Sequence, residues 1–400
     1  MNTAAAYDVV VAGGGIVGAA CAIACARNGM RVALVERDVL GSGATAACMG
    51  HVVLMDDSDA QFALTRYSQQ LWKQLAPQLP ASAEYEQRGT LWIAADREEM
   101  EAAGRKFAWY SARSVPCRLL TAEELRREEP NLAPGLAGGL LVIEDSVVYP
   151  PAIALALARQ AQQLGATLLI GRSVKALGEG HVLLDDGSEL RAGHIVLAMG
   201  ADSPQLRPDL PIRKRKGHLV ITDRYPGFVR HELVELGYLK SAHSLTADSV
   251  AFNVQPRQTG QLLIGSSRQF GADHPEVDQA ILASMLARAV KYLPGIASLS
   301  AIRVWTGFRA ATPDKLPLIG PDATDSSILL ATGHEGLGIT TSLATAELIA
   351  DMLAGRQSAI AREPYLPGRF AQTDSKANEK DKHEDKHEMD WSHAGIDDGV

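Results

Sequence analysis

The sequence has few cysteines and no surplus of positive charge. Its 400 residues include four cysteines, and none of them forms a CxxC pair or shows the spacing of a metal site. There are 39 Lys and Arg residues against 47 Asp and Glu residues, which gives a formal net charge of -8. Because this balance leaves no basic excess for a nucleic-acid backbone, we expect neither a nucleic-acid partner nor a metal centre.

Long hydrophobic runs and a leader pattern are also missing. No apolar run reaches the roughly 18 residues that a membrane-spanning helix needs. A basic region of the kind that opens a secretory leader is not present, since Arg27 is the first Lys or Arg in the chain. Together with the unpaired cysteines, these features favour a small-molecule-binding protein of the reducing cytoplasm.

The acidic chain nevertheless contains one basic cluster, "RKRK" at 213–216. Such a cluster can bind polyanions or act as a localisation signal. Here it continues directly into the strand-like "GHLVIT". We therefore expect it to be the solvent-exposed start of a strand.

The N-terminus predicts a strand, a helix and a second strand in close succession. Val9–Ala12 forms a short apolar run, Ile16–Asn28 is a helical stretch that ends before Gly29, and Arg31–Glu36 is again strand-like. Between the first strand and the helix lies "GGGIVG". Glycines at these positions allow a tight turn, a close approach of backbone N–H groups to a pyrophosphate, and close packing of helix on strand.

Glu36 ends the second strand about twenty residues after the glycines, where an acidic side chain accepts hydrogen bonds from ribose hydroxyls. An acid at this position disfavours the 2′-phosphate of NADP, which leaves NAD and FAD. Two remote segments favour FAD, because a flavin ring needs a second binding surface. These are "GSGATAACMGHVV" at 41–53 and "GHEGLGITTS" at 333–342.

The rest of the chain contains both helical and strand-like patterns. A helix is expected after Pro150, a hairpin around Asp186, and helices over Gln279–Tyr292 and before Gly355, whereas 57–127 is mainly helical and charged. The sequence thus predicts an α/β protein in which a nucleotide-binding lobe, built from separate pieces, carries an inserted antiparallel lobe.

The predicted boundaries follow from these patterns. The dinucleotide-binding lobe is expected to comprise 7–80, 145–212 and 306–356, and the substrate lobe 81–144 and 213–305. The segment 372–400 is polar and repeats "DKHE", which is typical of a disordered charged tail.

Three stretches together resemble the FAD-dependent D-amino-acid oxidase superfamily, which includes glycine and sarcosine oxidases. They are "VVVAGGGIVGAACAIACARNGMRVALVER", "HIVLAMGA" and the C-terminal "WTGFRAATPDKLPLIGPD" with "LLATGHEGLGITTSLATAELIADMLAG". The resemblance implies a Rossmann-type FAD lobe of the glutathione-reductase-like kind. Within the superfamily, "ATAACMGHVVLMDDS" and "SVAFNVQPRQTGQLLIGSSRQFG" are similar to bacterial D-hydroxyproline dehydrogenases.

The resemblance also implies which residues contact FAD. The glycine loop would hold the pyrophosphate, Glu36 the ribose, and the two remote segments the flavin. The full set is Gly13, Gly15, Ile16, Val17, Gly18, Glu36, Arg37, Ala44, Thr45, Ala46, Met49, Gly50, His51, Val174, Ala198, Gly200, Gly307, Gly333, Gly336, Gly338, Ile339 and Thr340. Because Gly307 stands where some relatives carry a flavin-linked cysteine, non-covalent FAD is expected.

Arg309 falls where relatives place the arginine that grips the substrate carboxylate, and a planar guanidinium suits that task. His51 and His334 are candidates for polarising the flavin or the amine, with a purely structural role as the alternative for each. Arg268 and Tyr238 are candidate substrate contacts from the inserted lobe. The implied reaction is hydride transfer from substrate Cα to flavin N5, which yields an imine.

The first expected substrate is cis-4-hydroxy-D-proline, and it rests on the narrower resemblance. A broader D-amino-acid or glycine/sarcosine oxidase is the alternative enzyme. A second alternative is an FAD-carrying subunit of a hetero-oligomeric dehydrogenase. The electron acceptor stays open among O2, a quinone and a partner subunit. Homo- and hetero-oligomers are both open, as is a peripheral position at the inner membrane through that acceptor.

Overall fold

The computed structural model describes residues 6–237 and 248–370. Two eight-stranded sheets dominate this part of the chain. Sheet 1 comprises β1 Ala6–Ala12, β2 Val32–Glu36, β8 Thr167–Ile170, β9 Val174–Gly178, β10 His181–Leu184, β11 Glu189–Leu197, β17 Leu318–Pro321 and β18 Ile328–Thr332. Sheet 2 comprises β4 Thr90–Ala94, β5 Cys117–Thr121, β6 Gly138–Val142, β12 Arg213–Thr222, β13 Glu232–Glu235, β14 Ser249–Pro256, β15 Leu262–Phe270 and β16 Ala301–Ala311. A small two-stranded pair is formed by β3 His51–Val52 and β7 Ser146–Val147.

Sheet 1 is parallel through its centre, in the order β18, β11, β1, β2, β8. The antiparallel strand β17 lies beyond β18, and the β9–β10 ribbon pairs with β11. Its central strands are apolar on both faces, because helices cover both sides of a parallel sheet. Val9, Val10, Val11 and Ala12 are all almost fully buried.

Eight α-helices lie in the described ranges. They are α1 Ile16–Arg27, α2 Ala44–Ala47, α3 Asp59–Leu75, α4 Arg97–Ser111, α5 Ala122–Glu128, α6 Pro150–Gln163, α7 Gln279–Tyr292 and α8 Gly338–Leu353. Helix α1 is rich in alanine and is buried around most of its circumference, packed between α6 and α8. Small side chains let these helices approach closely, and this cluster forms the largest part of the core. Within the described part of the chain, no helix combines the length and apolar character needed to cross a membrane.

Sheet 2 has the order β16, β12, β15, β14, β13, β4, β6, β5, and its neighbours are antiparallel except for β13 and β4. One face packs on α7 around Phe252 and Tyr292, whose rings stack at 4.8 Å. The opposite face is turned toward residues 44–55, because Glu232 and Trp305 on this face contact His51 and Ala47. This second face is called the site face below.

Several expected elements are confirmed by the structure. The first helix, the Asp186 hairpin and the helix over Gln279–Tyr292 all form, the last with the expected bounds. The expectation that 57–127 is mainly helical is incomplete, since β4 and β5 lie within it and join sheet 2. Strand β4 is short and fully buried, so it does not show the alternation that marks an exposed strand. Strand β5 lies at the sheet edge, where only Leu120 is buried, so it has no apolar run of its own.

The expected domain boundary at 306 falls inside β16, whose full length pairs with β12 in sheet 2.

The "RKRK" cluster is not a solvent-exposed strand start. Arg213 is exposed, but Arg215 is 3% exposed and Lys216 is fully buried. Tyr238 and the segment 372–400 lie outside the described residues.

A buried carboxyl lies between the two lobes. Asp145 is fully buried and accepts hydrogen bonds from the Leu54 N–H at 3.1 Å and the Gln69 side-chain amide at 3.0 Å. Burial raises its pKa well above the usual value, and the neighbouring Glu232 raises it further, although the Thr90 side chain acts in the opposite direction. The folded protein therefore favours the protonated form of Asp145.

We expect Asp145→Asn to become progressively more stable than the wild type as pH rises from about 4. In the unfolded chain this carboxyl ionises near its usual pKa, whereas in the folded protein it ionises only at higher pH. The free energy of unfolding of the wild type therefore falls across that window, and an amide, which does not titrate, removes the loss. Thermal unfolding measured from pH 5 to pH 8 tests this, with the exposed Asp57→Asn as the control. A difference in Tm that does not change with pH would contradict it.

Candidate functional site

The glycine loop joins β1 to α1 with very close backbone contacts. Gly13 has a φ of +108°, and a Cβ there would lie 2.5 Å from the Ala198 carbonyl oxygen. A Cβ on Gly18 would lie 1.8 Å from the Gly13 oxygen. Only glycine fits both positions. The N-terminus of α1, which begins at Ile16 after Gly15, is thereby brought to the carboxyl edge of sheet 1, where it favours an anion.

Glu36 lies beside this loop at the end of β2. Its carboxylate accepts the Gly14 N–H at 2.6 Å and the Asp38 N–H at 2.8 Å, and the residue is 6% exposed. The Arg172 N–H donates to the Glu36 carbonyl at 3.0 Å, so the segment leading into Val174 runs alongside. Arg37 forms an ion pair with Asp202 at 2.7 Å across the same edge.

Residues 44–52 cross from the glycine loop to sheet 2. The Thr45 hydroxyl accepts the Ile16 N–H at 3.1 Å and so contacts the N-terminus of α1. Gly50 packs so closely that a Cβ would lie 1.7 Å from the Val148 oxygen, and its N–H donates to Gln255 on β14 at 2.8 Å. The Met49 sulfur lies over Gly265 of β15. Ala44 and Ala46 belong to the short helix α2.

The second remote segment, 333–340, lies against this loop. The Thr340 hydroxyl donates to the His51 carbonyl at 2.9 Å and accepts the Val53 N–H at 3.2 Å. Helix α8 begins at Gly338, so its first turn carries Thr340 and lies beside His51 and Val53. Gly333 and Ile339 lie in this turn and its helix, while Ala198 and Gly200 follow β11 at the adjoining sheet edge.

These features fit FAD. A dinucleotide needs an uncrowded backbone at its pyrophosphate, and the Gly13 and Gly18 positions are ones that a Cβ would overfill. A flavin needs further polar groups at a distance, and two helix N-termini meet at the edge of sheet 1. The His51 Nε2 atom is buried there without a hydrogen-bond partner. The residues expected to hold FAD are thus brought together from three remote stretches of chain.

Three arginines occupy adjacent strands on the site face. Arg309 on β16 pairs in register with Arg215 on β12, and Arg268 lies on β15 next to it. The Arg309 guanidinium donates to the Ser267 carbonyl at 3.0 Å, and its Nε lies 3.6 Å from the Cβ position of Gly336. Arg309 is therefore located where sheet 2 meets the 333–340 segment.

Glu335 is the acidic partner of these arginines. It accepts from Arg215 at 2.6 Å and from the Gly336 N–H at 2.6 Å. Burial by itself would raise the pKa of Glu335, but Arg309, Arg215 and Arg268 together lower it below its usual value. The carboxylate is thus held ionised between the two lobes.

His51 is paired with a buried acid. Its Nδ1 lies 2.7 Å from Glu232 Oε1, and Glu232 is 2% exposed. A carboxylate at Nδ1 favours the tautomer that carries its proton on that nitrogen, which leaves Nε2 as an acceptor. Because that atom is buried and unpartnered, His51 presents a free ring nitrogen to the site.

His334 has different surroundings. It is 7% exposed, and its Nε2 lies 2.9 Å from the Thr345 hydroxyl within α8. Burial lowers its pKa to about 4, so the ring is neutral at physiological pH. The Thr345 contact uses Nε2 inside the fold. This geometry favours the structural role, and the expected catalytic role of His334 gains no support from it.

Gly307 lies in the middle of β16 and packs against Ala47 of α2. A Cβ there would lie 2.5 Å from the Ala47 Cβ, and the neighbouring Trp305 indole N–H donates to the Ala47 carbonyl at 3.2 Å. Any side chain at this position would displace α2. Burial raises the pKa of the nearby Cys48 thiol to about 12, so this cysteine stays a thiol rather than a nucleophilic thiolate.

Comparison with known families agrees with this architecture. A family model described as "FAD dependent oxidoreductase" (DAO) matches residues 8–352. The chain belongs to the DAO family of FAD-dependent oxidoreductases. The match contains both lobes and every described site residue discussed above. FAD is accordingly its cofactor, and the fold class expected from the sequence is confirmed.

Individual DAO relatives cover nearly the whole chain. Glycine oxidase of Geobacillus kaustophilus is 28% identical over 374 residues, which are 90% of this chain and 96% of the relative. Its crystal structure superposes with a TM-score of 0.82, at 27% identity and with coverage of 91% and 99%. L-Proline dehydrogenase from P. horikoshii gives a TM-score of 0.83 at 25% identity, with coverage of 92% and 98%. Hydrogen cyanide synthase subunit HcnC of Pseudomonas aeruginosa is 27% identical over 415 residues, with coverage of 91% and 96%.

Some residues of this DAO site were not singled out from the sequence. Arg215 was assigned to a solvated cluster. It lies at alternate positions with Gly217 and Leu219, however, and such spacing with non-polar residues indicates a buried strand face. Glu335 stands inside the glycine-rich "GHEGLG", where an acid is a detectable exception. Glu232 gives no local signal, because it is 181 positions away from His51.

We expect His334→Gln to preserve flavin reduction and to change acid stability. In the unfolded chain a histidine takes up a proton near pH 6.5, whereas His334 resists protonation down to about pH 4. The free energy of unfolding therefore falls as pH drops through this window, by an amount on the order of 3 kcal/mol. Glutamine keeps a polar contact to Thr345 and removes the titration. Urea unfolding at pH 7 and pH 5, between which about 2 kcal/mol of this fall is expected, measures the effect, with the exposed His274→Gln as the control. Loss of flavin reduction with an unchanged pH dependence would contradict the structural role.

Proposed function

We propose that this enzyme oxidises the C–N bond of a D-amino or cyclic imino acid to the imine, with cis-4-hydroxy-D-proline as its first substrate. The observation that carries the proposal is the position of Arg309. Its guanidinium lies between Ser267 on sheet 2 and Gly336 in the segment expected at the flavin. A carboxylate bound there is held at the junction of the two lobes.

Arg309 would bind the substrate carboxylate through two parallel hydrogen bonds. Its Nη1 is already oriented by the Ser267 carbonyl, and Gly217 beneath it leaves room, since a Cβ there would lie 2.7 Å from Nη1. A guanidinium fixed in this way orders the substrate at little further entropic cost. It also determines which face of the substrate Cα is presented to the cofactor.

Bound FAD would supply the two-electron oxidation by accepting the hydride. The chain's own residues would do the remaining work. The site face and residues 44–52 would enclose the substrate and exclude water, and His51 offers a buried acceptor nitrogen paired through Nδ1 with Glu232. This nitrogen would accept a hydrogen bond from the substrate amine, which helps to orient the nitrogen lone pair. Arg268 would add a second cation near the substrate.

The choice of an amine substrate is supported by the relatives' names, among them a glycine oxidase and an L-proline dehydrogenase. The finer choice of a hydroxyproline rests on the sequence resemblance of 44–58 and 249–271. Cytoplasmic location and non-covalent FAD belong to the same proposal, and the glycine at 307 supports the latter.

A second candidate function is that of an FAD-carrying subunit. One relative that covers 91% of this chain is named as a subunit of hydrogen cyanide synthase. In that case the electrons would pass to a partner chain or to a quinone instead of O2. Reduction of the flavin by substrate, combined with slow reoxidation by O2 and fast reoxidation by an artificial acceptor, would support this candidate.

We expect Arg309→Met to raise KM at least about 100-fold, because a charge-assisted bidentate contact is lost. Arg309→Lys keeps the charge but lacks the planar pair of donors, so its KM should lie between those of Arg309→Met and the wild type. FAD content and the visible spectrum should not change. Arg303→Met, an exposed position on the same strand, is the matched control. An unchanged KM in Arg309→Met would refute the carboxylate assignment.

The reaction is tested by anaerobic reduction of the purified FAD-loaded protein. We expect cis-4-hydroxy-D-proline to bleach the flavin absorbance at about 450 nm faster than D-proline, sarcosine or glycine. L-Hydroxyproline controls for the enantiomer. Bleaching by glycine or sarcosine alone would replace the proposed substrate with that of a glycine/sarcosine oxidase. No bleaching by any amine would overturn the proposed reaction.

A further inference from the structure

Asp145, the buried carboxyl between the two lobes, is a near neighbour of the His51–Glu232 pair. It lies directly before β7, and in the β3–β7 pair Val147 is in register with His51. The Gly89 N–H donates to the Asp145 carbonyl at 2.9 Å, and the Gly89 carbonyl accepts the Glu232 N–H at 3.1 Å. One glycine thus contacts the main chains of both acids, and the charge of Glu232 acts on the Asp145 carboxyl.

Each of the two acids has one side-chain oxygen with a partner and one without. Asp145 Oδ1 accepts the Leu54 N–H and the Gln69 side-chain amide, and Glu232 Oε1 lies 2.7 Å from His51 Nδ1. Asp145 Oδ2 and Glu232 Oε2 are buried without a hydrogen-bond partner. Two ionised carboxylates in such a place are costly, because both lack water and they repel each other. A proton on one of the two bare oxygens removes both costs, since that oxygen can then donate to the other.

The surroundings favour Asp145 as the acid that keeps this proton. Helix α4 contributes two titratable side chains here. Tyr110 donates to the Leu54 carbonyl, and Lys106 is ion-paired with Asp56. The charge of Lys106 lowers the pKa of Asp145, but burial, the largest cause, keeps that pKa well above its usual value. A carboxyl kept neutral by its site can act as a hydrogen-bond donor.

We propose that Asp145 is a positioning residue of the active site, whose neutral carboxyl donates a hydrogen bond from Oδ2 to Glu232 Oε2. This contact keeps Glu232 ionised at His51 Nδ1, and His51 then offers Nε2 as the acceptor for the substrate amine. The inference rests on the proposed function, since that reaction brings the amine to the site. Asp145 acts through Glu232 and His51 and does not itself contact the amine.

The contact determines which tautomer of His51 is present. An ionised Glu232 accepts the Nδ1 proton and leaves Nε2 as an acceptor, whereas a protonated Glu232 would donate to Nδ1 and place the ring proton on Nε2. In that second state the ring could not accept a hydrogen bond from the amine. Without the Asp145 donor, the ionised form of Glu232 loses a charge-assisted hydrogen bond, so the protonated form persists to higher pH.

The first test locates the proton by infrared spectroscopy of the full-length FAD-loaded protein at pH 7. A protonated carboxyl has a C=O stretching band at higher frequency than those of carboxylates and amides. We expect this band in the difference spectrum of wild type and Asp145→Asn, and not in that of wild type and Asp57→Asn, which changes an exposed residue. No such band in the Asp145→Asn difference spectrum would overturn the proposal.

The second test is the pH dependence of kred, the rate constant of anaerobic flavin reduction at saturating amine. Asp145→Asn keeps an N–H donor in place of Oδ2, because the Leu54 and Gln69 donors hold its carbonyl oxygen at the Oδ1 position. Asp145→Leu has a similar volume and no donor. In Asp145→Leu we expect the acid limb of the kred profile to move to higher pH by at least about one unit.

The amide variant provides the rescue. At pH 7 we expect kred of Asp145→Asn to exceed that of Asp145→Leu at least about 10-fold. Because the amine's own ionisation affects every variant alike, a difference between their acid limbs belongs to the protein. The same acid limb in Asp145→Leu and Asp145→Asn would overturn the positioning role.

Thr90→Val is the matched control. Thr90 is in register with Glu232, and its hydroxyl is buried without a hydrogen-bond partner. Valine keeps the shape of the side chain and removes the hydroxyl, so we expect the acid limb of the wild type. A shift as large as that of Asp145→Leu would assign the contact to Thr90 and overturn direct donation from Asp145. If Asp145→Leu does not fold, the infrared result still decides.

The two proposals fail in different ways. Flavin bleaching by an imino acid, with an unshifted acid limb in Asp145→Leu, would overturn the positioning role and leave the proposed function standing. An infrared band assigned to Asp145 in a protein that no amine bleaches would overturn the proposed function and support the neutral carboxyl donor.

Discussion

The close approach of backbones at the glycine loop is the constraint on which the rest of this structure depends. Gly13 lies against the Ala198 carbonyl, and Gly18 lies against Gly13 itself, at distances that leave no room for a Cβ. Because of these contacts α1 can sit tightly on sheet 1, and its alanine-rich surface is then buried between α6 and α8. The same contacts bring the helix N-terminus to the sheet edge at which the cofactor's phosphates would bind.

The second lobe is tied to this frame by a few polar contacts between distant residues. Gln255 accepts from Gly50, Arg215 bonds Glu335, and Glu232 holds His51, with all three of the sheet 2 residues buried. Buried polar pairs contribute modestly to net stability, but they cost free energy when mismatched. Such contacts favour one relative placement of the two lobes, and that placement shapes the site between them.

The sequence predicted the parts of the fold that have strong local signals. The β1–α1–β2 unit has its glycines and Glu36, and Gln279–Tyr292 has a clear helical period. The strands β4 and β5 were missed, since short strands within a helical and charged stretch lack a pattern of their own. The burial of Arg215 and Lys216 was also missed, because their charge suggested solvent exposure, and the covering of both faces of β12 is a tertiary feature that has no local signal.

The sequence alone determined the cofactor class, the discontinuous nucleotide-binding lobe and the candidate carboxylate-binding arginine. The cofactor class depends on glycines and an acid at fixed short spacing, which local geometry translates directly into structure, whereas Arg309 was assigned through the resemblance to the D-amino-acid oxidase superfamily. Tertiary structure alone decided that Arg215, Arg268 and Arg309 form one row, that Glu335 neutralises part of it, and that Glu232 orients His51. These side chains are brought together by the pairing order of sheet 2, which joins residues far apart in the chain and leaves no trace in local spacing.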